Sequence, residues 1–387
     1  MCMAAGTGGS CQKVLDDLKR DIGDKLGWED EPYPSSLSDA RRKLSKELCL
    51  QAFKEIRLLC SGLSNYPKVC YKDRRILSID MTRLALPAYK DSKDEFGCPK
   101  DNKGNLTPAP QATFTAIWDV STNTPLKWQL EKVYASERLA SYELVKGLNS
   151  GDLLIADRGY PSRQLLKQLS DQGTAYLIRL PGGQKLGGFL EVREFINDES
   201  AWDREVWLRE TNKRKGERTI RVRLMKYRLD TGKIAVFATN LYGARIHKKK
   251  ALCKLYCYRW DIETAFKEMK LWHGLEHFNA RFAEGIHQEV AGLMLFMLLT
   301  GEMEAQARGY HQVEMIEQSP DGVCEPEYRF NRKIIATTVA YLLVAATKGP
   351  EAIQEEFEYS MKRLWRFRQR RRPGRKFERK AKDPNSK

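Results

Sequence analysis

The sequence lacks any apolar run long enough to cross a lipid bilayer. The two longest runs, Val290–Thr300 and Ile334–Ala346, are well short of the roughly 20 residues that a spanning helix needs. The opening residues MCMAAGTGGS have neither a basic start nor an apolar core, so we expect no signal peptide. Both apolar runs predict buried helices, and we expect a cytoplasmic protein.

Paired cysteine spacings are also missing. Nine cysteines are scattered along the chain, and an odd number without motif spacing does not describe a disulfide framework. Cys253 and Cys257, followed by His273 and His277 at the same spacing of four, leave a zinc site as a minor alternative. We favour reduced thiols in the cytosol.

Acidic residues are too few to balance the basic ones. The 387-residue chain carries a formal net charge of +16, which predicts a polyanionic partner. Residues 362–387 hold 13 lysines and arginines against two acidic residues. In other respects the composition is typical of a globular protein, and the chain is long enough for a large core or for two or three domains.

The order of predicted elements indicates an α/β fold. Strand-like runs in its first part lie at 76–79, 113–120, 126–133, 153–156 and 175–180. Helical segments follow the third and the fourth run, which predicts an antiparallel meander extended by parallel strands. The predicted segments are a helical N-terminal region (1–70) that is a candidate for DNA-end binding, a first part of the core (71–180), a β-rich insertion (181–246), a second part of the core (247–300), a C-terminal helical region (301–361) and a basic tail (362–387).

Two aspartates, Asp80 and Asp157, each follow the end of a predicted strand. Ligands of α/β sheets bind at the carboxyl ends of the strands, although a single aspartate there is also a common turn former or helix cap. A third carboxylate from a later helix would complete an oxygen-rich site that suits Mg²⁺ or Mn²⁺. A pair of such ions activates a water or a 3′-hydroxyl for phosphodiester chemistry.

The stretch YCYRWDIETAFKEMK, from Tyr256 to Lys270, supplies a candidate for that helix. At about 100° per residue, Tyr256, Arg259, Glu263 and Lys270 fall in one stripe about 60° wide. The stripe borders the apolar face of the helix and does not lie opposite it. The residues therefore form either an ordinary surface ion pair or one wall of an active site.

Cationic and aromatic side chains near the carboxylates suit a nucleic-acid substrate. Arg259, Arg179 and Lys270 would bind phosphate oxygens, and the arginines would do so in bidentate fashion. Tyr256 and Trp260 could stack on a base pulled out of the duplex. Core packing is an equal alternative for Trp260.

The spacing on this helix resembles a known family signature. Tyr256, Arg259, Glu263 and Lys270 match the pattern Y-x2-R-x3-E-x6-K, which is typical of bacterial insertion-sequence transposases of the DDE class in the group called family four. Further segments that resemble this family are DRGY at 157–160, ATNL at 238–241 and RRRPGR at 370–375.

The resemblance implies an RNase H-like catalytic core with a β-rich insertion before the glutamate helix. It implies that Asp80, Asp157 and Glu263 are the catalytic residues and the ligands of two Mg²⁺ ions, for which Mn²⁺ could substitute. Met81 stands after the first aspartate, where the family often has Gly or Ser.

The same resemblance implies cut-and-paste transposition. Tyr256, Arg259 and Lys270, with Arg179 as an addition, would hold the 5′ phosphate region of the transposon end. Water attacks at the end of the element, the freed 3′-hydroxyl forms a hairpin that is reopened, and the 3′ ends then attack target DNA. The implied partners are double-stranded terminal inverted repeats, target DNA and a second subunit in a homodimer. Candidates for holding a flipped base are Trp202, Trp207 and Phe237.

Three alternatives stay open at this point. A domesticated transposase would bind DNA without cutting it. Another RNase H-like nuclease, such as a junction resolvase, would share the carboxylates but not the Tyr-Arg-Glu-Lys spacing. A basic nucleic-acid-binding structural protein would have no catalytic site, and the three carboxylates would then be a coincidence.

Overall fold

The computed structural model describes residues 33–63, 69–181, 189–209, 218–229, 232–317 and 323–370, with scattered positions between 12 and 30. These residues form a mixed α/β structure with a central mixed sheet. Within them, no helix is both long and apolar enough to cross a membrane. Most of the predicted N-terminal segment before residue 33, and the tail from residue 371, lie outside the described residues.

Strands and helices alternate along most of the described chain. The strands are β1 (Cys70–Tyr71), β2 (Arg74–Ala85), β3 (Gln111–Asp119), β4 (Thr124–Lys132), β5 (Asp152–Ala156), β6 (Ala175–Leu180), β7 (Asp203–Arg209), β8 (Arg218–Arg228), β9 (Ile234–Thr239), β10 (Met315–Glu317), β11 (Val323–Pro326), β12 (Tyr328–Arg329) and β13 (Gln369–Arg370). The helices are α1 (Pro34–Arg42), α2 (Lys46–Leu63), α3 (Lys90–Phe96), α4 (Glu137–Leu144), α5 (Arg163–Asp171), α6 (Leu190–Asn197), α7 (Lys249–Leu255), α8 (Arg259–Trp272), α9 (Ala283–Tyr310), α10 (Arg332–Lys348) and α11 (Pro350–Arg366).

The central sheet has the order β10-β11-β1-β2-β5-β6-β9-β8-β7, and β3 pairs with β2 and β4. Strands β2, β3 and β4 pair antiparallel, whereas β5 joins β2, and β6 joins β5, in parallel. The predicted meander with parallel additions is therefore confirmed. A separate two-stranded sheet is formed by β12 and β13.

Both faces of the sheet are covered, which explains why its inner strands are apolar runs. On β5, Leu154 and Ala156 pack with α4, α5 and α6 in one apolar cluster, whereas Leu153 and Ile155 pack with α7 in another. Burial on both faces requires a continuous apolar sequence, and the predicted strands 153–156 and 175–180 are confirmed as β5 and β6.

Helix α9 lies in the largest apolar cluster. Its buried residues occupy all sides of the helix along most of its length, as expected for a helix with no solvent-facing stripe. It contains the apolar run Val290–Thr300, and α10 contains Ile334–Ala346. The prediction that both runs form helices is confirmed. However, α10 is only partly buried and exposes half of Tyr341.

Two local predictions are wrong. Strand β2 continues to Ala85, which pairs with Gln111, so Asp80 lies inside the strand and not at its end. The helix predicted to run unbroken through Tyr256 is interrupted by a 3₁₀ turn at Tyr256–Tyr258. The segment 181–246 contains the antiparallel strands β7, β8 and β9, and β9 also pairs with β6 and continues the central sheet.

Two of the predicted segment boundaries fall inside helices. Helix α9 runs continuously across the boundary at 300/301, and α11 extends to Arg366, so the first residues of the predicted basic tail are helical.

Candidate active site

Adjacent parallel strands place Asp80 and Asp157 on the same face of the sheet. The ladder between β2 and β5 pairs Ser78 with Ile155, and each aspartate lies two residues further along its own chain. Because side chains alternate with a period of two, both carboxylates point to the side of the sheet that packs against α7. Neighbouring strands are about 4.8 Å apart, so this register brings the two aspartates close together.

Helix α8 brings Glu263 and Arg259 to the same place. Nη1 of Arg259 lies 2.5 Å from Oε1 of Glu263 and 3.6 Å from Oδ2 of Asp80. The hydroxyl of Ser78 donates a hydrogen bond of 3.5 Å to the carbonyl of Arg259, which ties the start of α8 to β2. The buried guanidinium therefore bridges the first aspartate and the glutamate of the predicted triad.

The site has an excess of negative charge. Burial, with smaller contributions from the charges of Asp157 and Glu263, raises the pKa of Asp80 to about 6. The amide of Met81, which donates to Oδ1 of Asp80 at 2.8 Å, and the Arg259 guanidinium act in the opposite direction. Crowded carboxylates of this kind favour a bound cation.

Tyr256 and Arg179 lie on the side of Asp157. The Tyr256 ring is buried and meets Phe237 of β9 edge to face, with 4.9 Å between the ring centroids. Burial raises the pKa of Tyr256 to about 12, and the charges of Asp157 and Arg179 also act on this hydroxyl. The tyrosine therefore stays protonated and can donate a hydrogen bond.

Lys270 and Trp260 lie at the rim. Nζ of Lys270 donates to the carbonyl of Arg83 at 2.6 Å and to Oε1 of Glu276 at 3.1 Å. The Trp260 side chain is 55% exposed, and the Arg259 guanidinium lies 4.4 Å from its ring centroid. The core-packing alternative for Trp260 is therefore wrong, because its ring is largely in solvent.

The three carboxylates are chemically suited to bind a divalent metal, but they do not converge as a set of ligands. In the part of the chain that the structure describes, no group of three His, Cys, Asp or Glu side chains is placed to hold a metal ion. Asp80, Asp157 and Glu263 nevertheless offer only the hard oxygen atoms that Mg²⁺ and Mn²⁺ prefer. Glu263 would have to exchange Arg259 for the metal.

Three further residues at this edge were missed by the sequence analysis. Glu276 accepts from Lys270 and also from the amide of Ala85, at 3.0 Å. Glu137, at the start of α4, and the buried Tyr160 lie beside Asp157. The DRGY motif could have pointed to Tyr160, whereas no sequence signal marks the two glutamates.

Comparison with known families identifies the class of protein. A family model described as the transposase DDE domain matches residues 72–299, a span that includes the two aspartates, Glu263 and both parts of the sheet around them. The chain therefore belongs to the DDE transposase domain family.

Among the solved structures that are similar to this chain is the piggyBac transposase, in a cryo-EM structure of its synaptic complex with hairpin DNA. The two chains are 12% identical, with a TM-score of 0.42, and the similarity covers 78% of this chain and 59% of that chain. This chain thus spans less than two thirds of the length of that transposase. The comparison with curated proteins gave no match.

Proposed function

We propose that this protein is a DNA transposase of insertion-sequence family four that cuts the ends of a bacterial element and joins its 3′ ends to target DNA. The observation that carries the proposal is the contact of Arg259 with both Asp80 and Glu263. This contact connects α8, which carries the arginine and the glutamate of the Tyr-Arg-Glu-Lys signature, to the first aspartate. The DDE family is named after an acidic triad of this kind.

The core is proposed to be RNase H-like. An antiparallel β2-β3-β4 meander, parallel additions β5 and β6, and a helix that brings a glutamate back to β2 support this assignment. In this scheme the catalytic core comprises residues 71–180 and 247–300, and the segment 181–246 is an insertion between these two parts.

Asp80, Asp157 and Glu263 are proposed as the metal ligands. Two Mg²⁺ ions, or Mn²⁺, would supply activation of the attacking oxygen and stabilisation of the leaving oxygen. The protein's own contribution is positioning: once Glu263 turns to the metal, Arg259 is released to bind a phosphate oxygen. Tyr256 can donate its hydroxyl proton to the same phosphate region, and Arg179 lies near it.

Lys270 would bind the DNA backbone after it leaves Glu276. Trp260, exposed at the rim beside Arg259, is the proposed stacking platform for a base next to the cleavage site. Formation of a hairpin requires a flipped base to be held elsewhere. Phe237 is buried against Tyr256, so Trp202 and Trp207 are the remaining candidates in the segment 181–246.

The proposed partners are the terminal inverted repeats, target DNA and a second copy of the chain on DNA. The net charge of +16 supports a polyanionic partner. We propose that the N-terminal helical region (1–70) or the segment 181–246 reads the ends, while the basic tail makes sequence-independent contacts with phosphates.

Cleavage of duplex DNA that carries the element's own ends tests the proposal. The protein and its Glu263→Gln variant would be compared with Mg²⁺, with Mn²⁺ and with EDTA. Glu143→Gln is a matched control, since Glu143 lies on α4, is 58% exposed and pairs with Lys146. We expect metal-dependent nicks at the terminus that Glu263→Gln abolishes while DNA binding persists.

Other outcomes separate the alternatives. Specific binding without cleavage by the unmodified protein would favour the domesticated DNA-binding protein. Cleavage without preference for the element's ends would favour a different RNase H-like nuclease. Normal cleavage by Glu263→Gln would show that the third carboxylate is another residue.

A further inference from the structure

Glu137 is a carboxylate at the acidic edge that the proposed triad does not use. It is the first residue of α4, which packs on the opposite face of the sheet from α8. A Cβ built on Gly159 would lie 2.6 Å from Oε2 of Glu137 and 3.1 Å from Oδ1 of Asp157. The two carboxylate oxygens therefore flank the same glycine, and their separation cannot exceed the sum of those distances.

Two hydrogen bonds hold this arrangement in place. The amide of Gly159 donates to Oδ1 of Asp157 at 2.8 Å, and Nε of Arg138 donates to the carbonyl of Gly159 at 3.2 Å. The loop after β5 is thus fixed to the first turn of α4. Glu137 is held beside Asp157 by the fold, and its position does not depend on a partner of its own.

In the described part of the chain Glu137 has no direct partner, and the charges of Arg138 and Arg83 act on its carboxylate only from beyond ion-pair distance. No hydrogen bond or ion pair there engages its half-buried carboxylate. A second carboxylate close to Asp157, without a cation between them, is electrostatically unfavourable. A carboxylate with a purely structural role would have a hydrogen-bond or ion-pair partner in the protein. A carboxylate that binds a cation needs no such partner.

A second, independent observation comes from Tyr160. Its side chain is fully buried, and its hydroxyl oxygen has no hydrogen-bond partner. Its backbone amide donates to the carbonyl of Asp157 at 3.4 Å, and the charges of Asp80, Glu137 and Asp157 all act on its hydroxyl. Buried hydroxyls normally have a partner, and here a water bound to a cation would be one.

We propose that Glu137 is a fourth carboxylate of the catalytic centre, which holds a hydrated divalent cation beside Asp157, with the Tyr160 hydroxyl bonded to a water of that cation. The inference rests on the proposed function. Opposite ligands of an octahedral Mg²⁺ are about 4.2 Å apart. Because both oxygens flank Gly159, they are close enough to share one cation, either directly or through one of its waters.

The test measures cation binding as well as cleavage. Mn²⁺ binding to the DNA-free protein would be titrated by electron paramagnetic resonance, and the Mg²⁺ concentration for half-maximal end cleavage would be measured in parallel. The variants are Glu137→Gln and Tyr160→Phe, with Glu143→Gln on the same helix as control and Asp157→Asn as the reference for a lost ligand.

We expect Glu137→Gln to weaken Mn²⁺ binding and to raise the half-maximal Mg²⁺ concentration by about 10-fold or more, the usual scale for a carboxylate that supports a metal site. Tyr160→Phe should act in the same direction with a smaller effect, and Glu143→Gln should have none. Thermal unfolding in EDTA should show Glu137→Gln to be as stable as the unmodified protein, since the substitution removes a repulsion.

Two results would overturn the inference. Unchanged Mn²⁺ binding and Mg²⁺ dependence in Glu137→Gln, with both lost in Asp157→Asn, would exclude Glu137 and leave the transposase proposal intact. A loss of stability in EDTA that accounts for the lost activity would assign Glu137 a structural role. If the unmodified protein neither binds Mn²⁺ nor cleaves the ends, the proposed function fails, and this inference fails with it.

Discussion

The guanidinium of Arg259 supplies the counter-charge of the candidate active site. It is the positive charge that contacts both Asp80 and Glu263, and the Arg259 side chain is only 9% exposed. Removal of one partner from a buried ionic cluster leaves charges that neither water nor protein compensates. Under the proposed function, Arg259 lies where a metal ion would bind, and exchange with the metal would free Arg259 for DNA.

Arg259→Gln should destabilise the protein in EDTA by about 2 kcal/mol, below the full effect for a buried pair because both carboxylates are partly solvated. Arg259→Lys should lose less stability than Arg259→Gln, because lysine keeps the positive charge. It should still lose some, because lysine lacks the forked guanidinium. Urea unfolding measures both. Arg221→Gln, which breaks the exposed pair with Glu205, is the control and should change stability much less than Arg259→Gln does. Equal stability of Arg259→Gln and the unmodified protein would contradict the role of Arg259 as counter-charge.

At the scale of single elements, strands buried on both faces could be predicted from the sequence, whereas features that depend on pairing with another strand could not. Strands β5 and β6 are apolar on both faces, and this pattern is visible in the sequence. The second half of β2 lacks this apolar pattern, because MTRLA includes polar and charged residues. Its extension is fixed by the ladder with β3, where Thr82 pairs with Phe114, and such a partner cannot be read from local sequence.

The break between α7 and α8 was missed for a similar reason. Neither Gly nor Pro interrupts YCYRWDIETAFKEMK, so helical periodicity continues through the 3₁₀ turn. The contact of Tyr256 with Phe237 of β9 accompanies the turn, and it joins residues from distant parts of the chain. Spacing alone still placed Arg259 and Glu263 correctly on one face, because both lie within α8.

Helix α9 offers a prediction about packing between elements. A Cβ built on Gly301 would lie 2.0 Å from Cγ2 of Thr124 and 2.5 Å from the carbonyl of Thr122. The helix therefore presses against the turn that joins β3 to β4, and only glycine permits this approach.

Gly301→Ala should lower the free energy of unfolding by about 2–3 kcal/mol, because the backbone carbonyl of Thr122 cannot move away as a side chain could. Gly309→Ala on the same helix is the matched control. A Cβ there meets nothing within 4 Å, so helix propensity alone should stabilise the protein by up to about 1 kcal/mol. Thermal or urea unfolding gives both values. If the two variants had the same stability, the close packing of α9 on the β3-β4 turn would be wrong.

At the scale of the whole molecule, the site combines residues of the central sheet with residues of helices on both sides of it. Asp80 and Asp157 come from the sheet, Glu263 from the α8 side and Glu137 from the α4 side. The first three were predicted from strand order and from a family signature. Glu137 was not, because its proximity to Asp157 depends on where α4 crosses the sheet, and no spacing in the sequence encodes that crossing.

The distribution of charge gives the last prediction. Residues 371–387 contain eight of the basic residues, and replacing them with Gln would lower the formal net charge from +16 to +8. Each phosphate that a protein neutralises contributes about −0.9 to the slope of log K against log salt concentration. We therefore expect this variant to bind duplex DNA more weakly at low salt, with a slope reduced by up to about 7. Phosphate contacts carry no sequence information, so affinities for the element's ends and for an unrelated duplex should fall by the same factor. Fluorescence anisotropy between about 50 and 200 mM salt measures both. A selective loss of binding to the element's ends would show instead that the tail reads sequence, and an unchanged slope would show that it does not contact DNA.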